Sequence, residues 1–298
     1  VRKYGFDGFR ADTVKHVEPG VWKELKKEAS LAYEDWKRAN PAKRLGDQPF
    51  FMTAEVYNYS LRDAHQFEMG PGQSVDFYAN GFNSMINFSM PRDAAADYEK
   101  LFADYAAILH GPLNGYSVLN YVSSHDDGAP FDALRVRPFE TANKLLLAPG
   151  EAQIYYGDES ARLLKHEGAV GDANLRSFMN WDELANNAQR DGYRVADVRR
   201  HWALLGQFRH AHPAVGAGVH RKLADQPYTF ARTWSRGDAS DRVVVALGLP
   251  ADRPTPITVG GVFPEGAAVT DYYSGKKAVV TDGKVLFDVS NPVVLIGD

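Results

Sequence analysis

Three short stretches of the sequence place acidic residues where strand-like apolar runs stop. The first is Asp7-Gly8-Phe9-Arg10-Ala11-Asp12. Alternate residues of a strand face the same side, so Gly8, Arg10 and Asp12 share a face. An arginine and an aspartate on the inner face of a sheet are costly unless paired. An arginine beside a carboxylate favours its ionised form, and an ionised carboxylate at a strand end is a suitable nucleophile. The same pair would serve equally as a buried structural ion pair. Lys15 and His16 follow on a loop, where they could donate hydrogen bonds to substrate hydroxyls.

The second stretch, Phe50-Phe51-Met52-Thr53-Ala54-Glu55-Val56, is apolar up to Glu55. Desolvation raises a carboxylate pKa, as a general acid working near neutrality requires. The alternative is a glutamate that simply exits to solvent. The third, Ser123-Ser124-His125-Asp126-Asp127, follows Val118 to Val122. Strict alternation puts His125 and Asp126 on opposite faces, so both serve one site only if the strand ends or bulges there; a plain polar turn is the competing reading. Together the three stretches place Asp, Glu and Asp at successive strand ends. Paired carboxylates, one nucleophile and one acid, are what glycoside hydrolysis needs.

The elements that must position these groups alternate. Strands are expected at Phe6 to Asp12, Phe50 to Val56, Met85 to Phe88, Val118 to Ser123 and Gln153 to Tyr156. Pro19 opens a helix, with Trp22, Leu25, Ala29, Ala32 and Trp36 as its buried stripe. Further helices are expected after Tyr98, around Ala142 to Leu147, and from Val195 to His210. Leu163 to Asn174 reads as a loop. Beyond Pro213 the helical period gives way to short β runs punctuated by Gly and Pro. The expected organisation is a βα-repeating domain over 1–213 and an all-β domain over 214–298. Five βα-type strands do not close an eight-stranded barrel.

Bulk properties narrow the function. The 298 residues are 44% hydrophobic and 24% charged, an ordinary globular balance. A net charge of -4 argues against a nucleic-acid partner, and no apolar run is long enough to span a bilayer. The absence of cysteine excludes disulfides and thiolate chemistry. No His-x-x-x-His pair with an intervening Glu marks a zinc helix. The chain opens on Val1, close to a strand, and is expected to be a piece of a longer protein.

Gly8-Phe9-Arg10-Ala11-Asp12-Thr13-Val14-Lys15-His16 resembles the fourth-strand motif of the α-amylase family of glycoside hydrolases. Thr53-Ala54-Glu55 resembles the fifth-strand motif, and Ser123-Ser124-His125-Asp126 the seventh. Ile154 to Glu159, Arg176 with Met179-Asn180-Trp181-Asp182, and His201-Trp202 through His212-Pro213 are similar to the stretches that follow. Within the family, bacterial periplasmic and secreted α-amylases are the most similar. The resemblance implies the C-terminal part (strands 4–8) of a (β/α)₈ TIM barrel followed by a small antiparallel β-sandwich domain, with the first three strands absent. It implies Asp12 as nucleophile, Glu55 as acid and base, and Asp126 as a sugar-binding carboxylate that favours the distorted ring. Arg10 would orient Asp12, His125 would bind the sugar at the cleavage point, and Lys15 and His16 would line the acceptor side; Tyr57, expected to bind substrate too, stands where the family commonly has tryptophan. It also implies Ca²⁺, with most ligands in the absent part and only the His16 backbone carbonyl from this chain.

The substrate implied is an α-glucan polysaccharide or oligosaccharide, cleaved at internal α-1,4 bonds with retention in the periplasm or outside the cell. Sister transglycosylases, branching enzymes and maltose-forming hydrolases share the trio, and a non-catalytic binding protein on the same fold is a further reading. Tyr57, Tyr59 and Trp181 are the aromatic residues expected in a cleft. Without the missing strands, the chain alone is expected to be poorly stable and inactive, because open sheet edges invite aggregation.

Overall fold

Gly8–Ala11 forms the first strand, β1, in the computed structural model, which describes residues 1–250, 252–288 and 291–297. The chain divides into two units: residues 1–90 with 108–121, and residues 91–107 with 122–298.

The first unit is built on parallel strands. β1 is followed by a 3-10 turn at Val14–His16 and the helix α1 (Pro19–Ala39). The chain then enters β2 (Phe51–Ala54), an antiparallel hairpin of β3 (Phe67–Gly70) and β4 (Gln73–Val75), then β5 (Ser84–Ile86) and β6 (Ser117–Asn120). Within this unit the parallel order is β1-β2-β5-β6. The register pairs Gly8 with Phe51 and Ala11 with Ala54, so β1 and β2 end level. That level ending sets Asp12 and Glu55 side by side. Met52, Ala54, Met85 and Val118 are buried, as strands covered on both faces require. β1 is the outer strand of this order. Residues Asp7, Phe9, Arg10, Gln48, Pro49 and Phe51 line an open hollow of about 340 Å³ beside it.

The buried stripe of α1 differs from the expected one. Ala29, Ala32 and Tyr33 are buried, but Leu25 is exposed and the inward place beside it is taken by Lys26. The Lys26 ammonium donates to the Phe50 carbonyl and to Asn83 Oδ1, both at 2.5 Å. Two acceptors make a partly buried cation tolerable, and burial lowers its pKa. Apolar periodicity alone does not reveal a lysine used this way.

The second unit opens with α2 (Met90–Asp93) and α3 (Tyr98–His110), which extends past its boundary. α4 (Pro138–Leu146) and the two-residue strand β7 (Glu151–Ala152) follow. A loop region holds α5 (Trp181–Ala185) and a small hairpin of β8 (Gln189–Arg190) with β9 (Tyr193–Arg194). α6 (Val195–Ala211) and α7 (Ala214–Ala217) come next. The expected strand at Gln153 to Tyr156 is not formed. Ile154 and Tyr156 are exposed there, and the Tyr155 and Tyr156 hydroxyls donate to the carbonyls of Leu175 and Ser177. Side-chain ties to the following loop replace the ladder. Leu163 to Asn174 is a loop closed by a 3-10 turn.

From Val219 the unit is antiparallel β. β10 (Val219–Ala224), β11 (Tyr228–Arg236), β12 (Ala239–Leu247), β14 (Ala268–Asp271), β15 (Lys277–Val279) and β17 (Val293–Gly297) form one sheet in the order 10-11-12-17-14-15. β13 (Ile257–Thr258) and β16 (Lys284–Val285) form a separate ribbon. One face of the sheet, with Ala231, Val244, Ala246 and Ile296, shares a buried cluster with Ile257 and Val285 of the ribbon. On the other face, Phe230 meets Phe102 of α3 edge-on with ring centres 5.4 Å apart. Arg232, fully buried, donates to the carbonyls of Leu147, just after α4, and of Val215, within the single turn of α7. These are the orphan carbonyls that a helix C-terminus leaves for a cation.

Candidate active site

The first unit gathers Arg10, Asp12 and Glu55 at the level ends of β1 and β2. Arg10 Nη1 lies 3.1 Å from Asp12 Oδ2, and Nη2 lies 3.1 Å from Glu55 Oε2. One guanidinium fork therefore holds both carboxylates, a geometry that lysine's single ammonium does not offer. Glu55 is also tied by its backbone: its N–H donates to the Ala11 carbonyl at 2.8 Å, and its carbonyl accepts from Val14 N–H at 2.9 Å. The Thr13 N–H donates to Glu55 Oε2 at 3.2 Å.

The two carboxylates differ in exposure. The Glu55 side chain is 13% exposed and that of Asp12 67%. Burial pushes the Glu55 carboxyl above the usual glutamate range, and the Asp12 side chain adds to the rise; the Thr13 N–H and the Arg10 charge pull against it. Two adjacent carboxylates in unlike environments are suited to unlike roles.

Lys15 donates from Nζ to the Tyr57 carbonyl at 3.2 Å and sits 5.1 Å from the Tyr57 ring centre. Tyr57 is 57% exposed and meets Phe88 edge-on. Its ring is thus braced from behind while part of it stays open to solvent. His16 is exposed, with its N–H bonded to the Thr13 carbonyl. Tyr59, expected in a cleft, is instead fully buried: its hydroxyl donates to the Ala64 carbonyl and lies 3.3 Å from that of Tyr78. A ring with an internal partner for its hydroxyl is a core residue. Trp22, expected as core, braces the site by donating from Nε1 to the Val14 carbonyl at 3.1 Å.

The second unit carries His125 and Asp126 in a turn after β6, which ends at Asn120. The end of the strand frees the two residues from the alternation that would part them. His125 Nε2 lies 3.2 Å from Asp126 Oδ2. Ser124 Oγ donates to Asp126 Oδ1 at 3.2 Å and accepts from Asp127 N–H at 3.1 Å. Arg176 donates to the His125 carbonyl at 2.8 Å.

Behind this turn stands an anchor that sequence reading missed. Ser123 Oγ donates to Asp158 Oδ1 at 2.5 Å, and Arg135 Nη2 reaches the same oxygen at 2.5 Å. Both ionic partners are buried. Arg135 looks in sequence like one more charged loop residue; its partner is 23 positions away, and no local pattern announces it.

Among the described residues, no group of three or more histidines or carboxylates is arranged to hold a metal. No helix among the described residues is long and apolar enough to cross a membrane.

No protein-family model matches the chain. It is 40% identical over 252 residues to the periplasmic α-amylase of Escherichia coli K12, across 82% of this chain and 33% of that protein. It is 27% identical over 287 residues to an α-amylase of Streptomyces lividans, across 86% of this chain and 29% of that protein. The chain thus spans about a third of the length of these curated relatives. In fold it is similar to the solved α-amylase of Geobacillus thermoleovorans, crystallised with acarbose, with a TM-score of 0.61 and 15% identity over 98% of this chain and 59% of that one. The parallel strands and crossover helix of the first unit are consistent with part of the TIM barrel of such proteins. By sequence and by fold, this chain is a relative of the α-amylase-type glycoside hydrolases.

Proposed function

We propose that this chain supplies the catalytic carboxylates of a retaining, endo-acting enzyme that hydrolyses α-1,4-glucosidic bonds in starch, glycogen and maltooligosaccharides. The observation that carries the reading is the Arg10 fork, which sets a largely buried glutamate beside an exposed aspartate. In this reading an Asp12 oxygen attacks the anomeric carbon while the bond to the leaving oxygen breaks. Glu55 gives its proton to that oxygen. A water then attacks the anomeric carbon, Glu55 takes the water's proton, and Asp12 leaves as carboxylate.

Asp126, steadied by Ser124, binds sugar hydroxyls in the distorted ring, and His125 donates to the same sugar. Lys15, His16 and the open part of the Tyr57 ring line the acceptor side. Strands 4–8 of the barrel and a C-terminal β-sandwich domain after residue 213 belong to the same proposal, as does a periplasmic or secreted location. So does calcium in the whole protein, to which this chain would contribute the His16 carbonyl.

The test uses the full-length protein that carries this chain. Glu55→Gln should lower kcat/KM on starch by about a thousandfold, yet lose far less kcat/KM with α-maltosyl fluoride, whose departure from the sugar needs no proton even though the later attack of water still needs the base. Equal loss on both substrates would remove Glu55 from the role of acid.

A further inference from the structure

Thr13 is the residue between the proposed nucleophile and the 3-10 turn, and its backbone is left-handed, with φ 50° and ψ 36°. A β-branched residue rarely adopts that conformation. Residues held in such regions persist only where their surroundings over-determine them, and they cluster at functional sites. Here the surroundings are explicit. The Thr13 carbonyl accepts from His16 N–H at 3.0 Å. Val14 is fully buried, its N–H donates to the Glu55 carbonyl, and its own carbonyl accepts from Trp22.

The consequence of the left-handed turn is the direction of one N–H. It points back at Glu55 and donates to Oε2, the oxygen that Arg10 also holds at 3.1 Å. Both donors thus converge on the same carboxylate oxygen. An oxygen that already accepts from a cation and an amide is the poorer place for a proton. We propose that Thr13 is a positioning residue whose backbone N–H, together with Arg10, ties down Glu55 Oε2 and reserves Oε1 as the oxygen that carries the catalytic proton. The inference rests on the reading of Glu55 as the acid and deepens it to a single atom. The charged groups facing Glu55 are Arg10 and Asp12, and the Thr13 amide favours its ionised form.

The role belongs to the backbone, so the test removes the N–H and leaves the side chain. In the full-length protein, Thr13 is replaced by its α-hydroxy acid, which turns one amide into an ester. The expected result is a fall in kcat of about tenfold with KM unchanged, because orientation is lost and not affinity. The basic limb of the pH–rate profile moves to higher pH, because a donor to the ionised form is gone. Thr13→Gly keeps the N–H and suits the left-handed backbone; its basic limb is expected to stay where the parent's lies.

An NMR measurement on the unmodified protein decides the case even if the ester chain does not fold. The Thr13 amide proton should follow the ionisation of Glu55 and stay flat in Glu55→Gln. An ester variant with unchanged kcat and limb, or a Thr13 amide indifferent to pH, would overturn the proposal. Glu55→Gln assayed on starch separates the two layers: an inactive variant beside a normal ester leaves the acid in place and rejects only the role of Thr13, whereas an active one rejects the reading beneath it.

Discussion

Arg10 Nη2 stands 3.1 Å from Glu55 Oε2, and the other arm of the same guanidinium reaches Asp12. Two carboxylates at the ends of neighbouring strands repel unless a planar cation spans them. Lysine keeps the charge and loses the fork. Arg10→Lys should therefore lower kcat by about a hundredfold while the protein stays folded. Steady-state kinetics with a circular-dichroism melt checks both halves.

Burial raises the Glu55 pKa, so the folded state holds that proton more tightly than the unfolded state. The stabilisation from this proton is complete below the ordinary glutamate pKa and is lost as pH rises through the folded value. Glu55→Gln removes the loss. The variant should melt higher than the parent near neutral pH, with the gain vanishing in acid. Thermal melts at the two pH values measure it, and an equal shift at both would contradict it.

His201 of α6 is buried against α4, and burial pushes its pKa down to about 4. Its ring contacts the Phe139 carbonyl, Asn143 and the Tyr273 hydroxyl. The imidazole is neutral in the folded protein, while in the unfolded chain it gains a proton below about 6.5. Its contribution to stability is thus present above that value and drains away as pH falls toward 4. His201→Gln should flatten the pH dependence of unfolding free energy across this window by nearly one proton, as urea titrations at several pH values would show.

Asp158 and Arg135 form a buried pair at 2.5 Å, with Ser123 on the same carboxylate oxygen. Removing one partner leaves a buried charge uncompensated, at a cost of about 3–5 kcal/mol. Asp158→Leu should approach that loss, and adding Arg135→Met should recover much of it. Chemical denaturation of the single and double variants tests the pair.

Legibility in the sequence followed physical range. The positions of Asp12 and Glu55 at strand ends were readable because Asp12 shares a strand face with Arg10 and Glu55 ends an apolar run, and parallel pairing then sets level ends side by side. The β runs after Pro213 were readable from alternation and Gly punctuation. Lys26, Tyr59 and the Arg135–Asp158 pair were not, since what decides each is a polar partner distant in sequence. A lysine facing two acceptors breaks an apolar stripe, and a tyrosine whose hydroxyl finds a carbonyl becomes core. The short run at 153–156 has strand composition but is held by its tyrosine hydroxyls, which no period encodes.

β1 is the outer strand of the β1-β2-β5-β6 order, with Phe51 exposed beside it. An open edge flanked by apolar side chains pairs readily with other chains. Residues 1–298 expressed alone should elute from size exclusion as aggregate and show no starch hydrolysis. A monodisperse, active preparation would contradict this.

Proton NMR of maltooligosaccharide hydrolysis by the full-length protein, beside Asp12→Asn, reads the role of Asp12 directly. The α-anomer of the new reducing end should appear first, and Asp12→Asn should be inactive though folded. A β-anomer appearing first, or a variant that keeps its rate, would contradict the assignment of Asp12 as nucleophile.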